Sequence, residues 1–134
     1  MSAKVLLPSG WKQPIGYANG IVVPAGRIVF IAGQVGWDAN ETFHSEEIVP
    51  QFEQALTNIL AILAEAGGKP EHICRMTAFC IDKPAYLAGR REIGRIWKKL
   101  IGNHYPAMSM IFVADLLDHP AKIELETTAV VPDR

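Results

Sequence analysis

The chain has 134 residues, 49% of them hydrophobic and 20% charged, with 13 basic against 14 acidic side chains and a formal net charge of −1. This length supports one domain over residues 1–134 with a substantial core, and leaves no room for a second. The near-neutral balance lacks the basic footprint of a nucleic-acid-binding protein, and no apolar run reaches the roughly 18 to 20 residues of a membrane span.

The N-terminal apolar stretch is too short and too soon interrupted for a secretory leader, so the expected compartment is the cytoplasm. Residues 1–20 carry Pro8, Gly10, Pro14, Gly16 and Gly20 among apolar residues, which predicts a packed loop rather than a disordered tail. Short strands follow over 21–23 and 27–32, joined by a turn at Pro24-Ala25-Gly26. The segment Gly33-Gln34-Val35-Gly36-Trp37 is too rich in glycine for a strand interior and predicts a bend whose backbone faces a ligand.

From Ser45 or Glu46 to Ala66, Phe52, Leu56, Ile59, Leu60 and Leu63 form one helical stripe, which Gly67-Gly68 ends. Pro50 fits only the opening turn, so residues 46–49 read as a lead-in and Pro50 as the true first turn. A strand over 73–81 comes next, then a helix capped by Asp82 that runs to about Leu100, with Tyr86, Ile93 and Trp97 on its inner stripe. Two more strands, 107–114 and 121–131, complete the order β, β, α, β, α, β, β. This is an α+β arrangement with crossover helices on one face of a mixed sheet. No third helix covers the other face, so subunits are expected to pack sheet-side inwards. Cys74 and Cys80, six residues apart in one predicted strand, read as buried thiols and not as a bridge.

Dinucleotide, phosphate-loop, zinc-protease, CxxC and nucleophile-elbow motifs are all absent, and His44, His72, His104 and His119 never form a close pair. No cofactor and no metal are therefore expected. A site would most simply form at strand ends from Tyr17, the Gly33 bend, Met108 and Glu124, of which Glu124 alone has ordinary general-base capability. The plainer roles stay open: Tyr17 packing its loop, Met108 and Met110 filling an apolar interface, and Glu124 meeting a backbone donor or a cation.

In order and spacing, Ile15-Gly16-Tyr17-Ala18-Asn19-Gly20, Phe30-Ile31-Ala32-Gly33-Gln34-Val35, the run 51–59, Leu63-Ala64-Glu65-Ala66-Gly67, Thr77-Ala78-Phe79-Cys80-Ile81-Asp82, Tyr105-Pro106-Ala107 and Ile123-Glu124-Leu125-Glu126 resemble the RidA (YjgF/YER057c/UK114) family. The resemblance implies a chorismate-mutase-like fold and a homotrimer with sheets facing the centre and clefts between subunits. It implies hydrolysis of reactive enamines and imines, such as 2-aminoacrylate or 2-iminopropanoate, to ammonia and a 2-oxo acid. Tyr17 matches the family's cleft tyrosine, Gly33 its glycine bend and Glu124 its water-positioning glutamate.

Where the family's archetype carries an arginine that grips the substrate carboxylate, this chain has Met108, and a guanidinium fork becomes a thioether without a strong donor. Met110 stands where the family often has cysteine, and Arg90 falls near a position occupied by asparagine, from which it would supply a displaced positive charge. The expected function is thus a RidA-like hydrolase with an atypical substrate, Glu124 and Tyr17 being catalytic and Gly33, Met108, Met110 and Arg90 binding substrate. The alternative is a non-catalytic trimer that binds a small metabolite in the same clefts. RNA cleavage, a label attached to some relatives, finds no support in the charge pattern.

Overall fold

The computed structural model describes residues 3–133; the terminal positions included in the expected domain, 1, 2 and 134, lie outside the described residues. The chain opens with strand β1 (Lys4–Leu6), which pairs antiparallel with β2 (Gly20–Val22) as a separate two-stranded ribbon. This corrects the expectation of a loop followed by a first strand of the main sheet: Leu6 lies over Gly20, and the ribbon stands apart from the principal strands.

Strand β3 (Gly26–Val35) leads into helix α1 (Ile48–Glu65); a single 3-10 turn, Pro70–His72, precedes β4 (Ile73–Cys80). Helix α2 (Lys83–Leu100), β5 (Ala107–Phe112) and β6 (Ile123–Pro132) complete the chain. The main sheet has the order β3-β6-β4-β5, with β6 antiparallel to both neighbours and β4 parallel to β5. A mixed sheet with two helices is thus the observed architecture.

Local sequence explains the helix ends. Asp82 Oδ1 accepts from the Ala85 N–H at 3.0 Å and caps α2. At the end of α1, Gly67 takes φ +74°, and the Gly67 and Gly68 N–H groups donate to Ala64 and Leu63 carbonyls, a Schellman closure. The helix begins two residues before Pro50, a small correction: proline's missing donor costs nothing within the first turn, where backbone N–H groups lack helical partners.

Phe52, Leu56, Ile59 and Leu63 of α1 and Ile93, Ile96 and Trp97 of α2 are buried against one face of the sheet, which supplies Met76, Ala78, Ile123, Leu125 and Ala129. The opposite face is left open, with Ile28 61% and Phe30 80% exposed. Both cysteines are free thiols, Cys80 buried and Cys74 half-buried.

One polar side chain ties the layers together. The Gln51 amide, 1% exposed, donates to the Ser45 and Pro120 carbonyls, each at 3.0 Å, while its oxygen accepts from the Lys122 N–H at 2.7 Å. A Cβ on Gly36, just past β3, would lie 2.5 Å from Gln51 Cα, so only glycine lets this strand end close on α1. Substituting Gln51→Leu keeps the volume but strands three backbone groups. We predict a loss of about 3 kcal/mol in chemical denaturation; a loss below about 1 kcal/mol would show that water replaces the amide freely.

Candidate active site

Strands β3 and β6 are out of step by one residue in the middle of their pairing. Ile31 faces Thr127 and Gln34 faces Leu125, so Ala32 and Gly33 together oppose Glu126 in a β-bulge. Gly33 therefore lies inside a strand, not in a bend after one. The physical reason is Glu124: a Cβ on Gly33 would overlap its carboxylate, 2.7 Å from the carboxyl carbon and 2.9 Å from Cγ. The glycine gives the glutamate a resting place against bare backbone.

Glu124 is half-buried on the face of the sheet away from the helices. Burial pushes its carboxyl above the ordinary carboxylate range, and the negative charges of Asp118 and Glu126 push it further. Among the described residues no cation forms an ion pair with it. A raised, unpaired carboxyl beside a glycine backbone is suited to accepting and returning a proton.

The remaining sequence-predicted residues lie elsewhere. The Ala18 N–H donates to the Pro106 carbonyl at 2.9 Å and Ala18 bridges Ala107, which places Tyr17, 42% exposed, beside the start of β5. Met108 and Met110 pair with Met76 and Ala78 and pack against the core on the helix face of the sheet. Arg90 is exposed on α2. Along the open face the row runs Glu124, Phe79, Ile111, so Glu124 is two strands from the edge strand, about 10 Å at ordinary spacing. Within one chain the structure joins Gly33 to Glu124 and gathers Tyr17 and the methionines at β5, but puts the methionines on the face opposite Glu124.

Three residues that the sequence reading did not single out for the site stand at the far end of β5. Tyr86 meets Phe112 edge-on with ring centroids 5.9 Å apart, and Lys83 Nζ lies 5.5 Å from the Phe112 centroid. Tyr86 was legible as an inner-stripe residue; its partner depends on where β5 ends against α2. Among the described residues no group of three or more His, Cys, Asp or Glu is placed to hold a metal ion, and no helix is long and apolar enough to cross a membrane.

A mixed sheet with two helices on one face, and a glutamate resting on a glycine bulge of the other, defines a protein of the RidA-like α+β class. Residues 12–131 match the profile of the family described as Endoribonuclease L-PSP, and the chain belongs to that family, also called RidA or YjgF. It is similar to YyfB of Yersinia pestis, a Rid-family protein of unknown function, at 30% identity and a TM-score of 0.86, covering 98% of this chain and 100% of that one. A RutC family protein of Haemophilus influenzae is 31% identical over 81% of each chain. A 2-iminobutanoate/2-iminopropanoate deaminase of Dermatophagoides farinae is 29% identical over 89% of each.

The raised carboxyl has a thermodynamic consequence. Between the ordinary carboxylate pKa and the raised native value, the folded protein holds a proton that the unfolded chain has lost, so this group makes stability fall as pH rises through that window. Glu124→Gln should therefore melt above wild type at pH 7, with the difference shrinking towards pH 4. A difference that stays constant across this range in thermal melts would show that ionisation of Glu124 is not its source.

Proposed function

We propose that the chain is a small-molecule hydrolase that releases ammonia from an enamine or imine, working as a homotrimer whose sheets face the centre. The observation that carries this reading is the Glu124 carboxyl, raised by burial and seated on the Gly33 backbone. The similarity to the Dermatophagoides deaminase favours the same chemistry. The open sheet face, with Phe30 80% and Ile28 61% exposed, suits burial against other subunits. Because Glu124 and the methionines occupy opposite faces of one sheet, a complete cleft needs Glu124 and Gly33 from one subunit and the β5 edge from the next.

In this cleft Tyr17 and the Gly33 backbone hold the substrate, while Glu124 accepts a proton from water as the oxygen attacks the carbon of the protonated imine. The resulting carbinolamine collapses when Glu124 returns that proton to nitrogen and takes up the hydroxyl proton as the C=O bond forms; the C–N bond breaks, a 2-oxo acid remains, and the released ammonia carries the last proton away as ammonium. An enamine enters the same path after protonation at carbon. Met108, a thioether in place of the archetype's arginine, makes the substrate atypical, and Met110 and Arg90 complete the binding set. The second reading, a non-catalytic trimer that holds a small metabolite in the same clefts, draws on the same absence of a strong donor at Met108.

Ammonia release from freshly generated 2-iminopropanoate and bulkier imines separates the two. Wild type should exceed the buffer rate, and Glu124→Gln should lower kcat by about 10²–10⁴-fold. Equal rates in the two proteins would remove Glu124 from the chemistry, and stoichiometric binding without turnover would favour the second reading. Light scattering should give the mass of three chains; a monomer would eliminate the cleft.

A further inference from the structure

Helix α2 is pinned to the strand β5 region at both ends. Trp97 stacks on Tyr105 at 6.2 Å and donates its indole N–H to the His104 carbonyl at 3.0 Å, while Tyr86 meets Phe112 at the other end. The helix thus runs antiparallel to the strand. Four helical residues from Tyr86 advance about 6 Å, and two strand residues back from Phe112 span about 6.6 Å. Arg90 is therefore level with Met110. Tyr86, Arg90, Ile93 and Trp97 follow helical i, i+3, i+4 spacing, so Arg90 belongs to the flank that faces β5.

The surroundings leave this guanidinium free. Further along α2, Arg95 and Lys99 are paired with Glu92 and Glu53, and Lys83 lies over the Phe112 ring; Arg90 is exposed and forms no ion pair among the described residues. Burial raises the half-buried Tyr86 phenol above its ordinary range, and the Arg90 charge offsets part of that rise. Below it the helix face of β5 presents Met108, Met110 and Phe112. β5 is one of the two edge strands of the sheet, and among the described residues the isolated bridge at Ala18 meets it only at Ala107. An unpaired cation thus stands at the rim of a floor of thioethers and an aromatic ring.

Resting on the proposed hydrolase site, we infer that this corner binds the substrate and selects a 2-imino or enamine carboxylate with a large apolar side chain, aryl or branched alkyl. The Arg90 fork takes the carboxylate, and Met110 with Phe112 takes the side chain. A guanidinium matches a planar carboxylate bidentately, and methionine adapts to an aromatic or branched body and makes favourable sulfur–aromatic contacts. A methyl-bearing substrate would leave that floor uncovered, forfeiting about fourfold in affinity for each methylene not buried.

Calorimetric titration of the intact protein with phenylpyruvate and pyruvate, unreactive 2-oxo acid counterparts of the two substrate sizes, tests the assignment without requiring turnover. Phenylpyruvate should bind at least tenfold tighter than pyruvate. Arg90→Met should weaken phenylpyruvate about 10- to 100-fold, with Arg90→Lys intermediate and both variants melting with wild type, since Arg90 is exposed. With the corresponding imines, Arg90→Met should raise KM while kcat stays within about threefold. Equal binding by Arg90→Met and wild type, equal affinity for the two acids, or no binding of either overturns the inference. Turnover that Glu124→Gln abolishes and Arg90→Met leaves unchanged would overturn it while sparing the hydrolase reading. The expected binding pattern with no turnover above buffer would do the reverse.

Discussion

Gln51, with its buried amide, fixes how the end of β3, the approach to α1 and the approach to β6 meet. Three segments distant in sequence converge on it: Gly36 just past β3, Ser45 before α1, and Pro120 and Lys122 just before β6. A side chain with one acceptor and two donors meets one N–H and two carbonyls, so no group of that amide needs water. Glu124 lies two residues beyond Lys122. The clasp therefore holds the start of β6 where the bulge of β3 can receive the glutamate.

The sheet divides its two faces by chemistry. The helix face is closed by α1 and α2 around Leu56, Ile59, Leu63, Met76 and Leu125, all fully buried. The other face carries the Glu124 carboxylate and, further along the β3–β6 ladder, the uncovered Phe30 and Ile28. Covering that face by another copy would bury the apolar side chains and deepen the desolvation that already raises Glu124. Assembly and proton chemistry would then be two results of one contact.

Much of the fold was legible because its signals are local. The α1 stripe, its Gly67-Gly68 end and the Asp82 cap each need only neighbours within one or two helical turns. The β1–β2 ribbon was not legible: its strands are three residues long and pair across an intervening loop. Gly33 looked like a bend because glycine interrupts a strand pattern, whereas the reason for that glycine is a side chain from β6. For the site, alternation along β5 and β6 says which residues share a face within each strand. It does not say which face of one matches which face of the other. Inter-strand register alone places Met108 beside Met76 and Glu124 beside Phe79.

Strand β4, lying between β6 and β5, has a consequence for how such a protein diverges. Sites separated by about 7–10 Å without shared partners respond to mutation almost independently. Glu124 and Gly33 are set by β3 and β6, while Met108, Met110 and Arg90 belong to β5 and α2. A chain can thus change residues at the β5 edge without shifting the bulge. Within one chain the two regions are free to drift on separate clocks, and only assembly makes them answer to the same substrate.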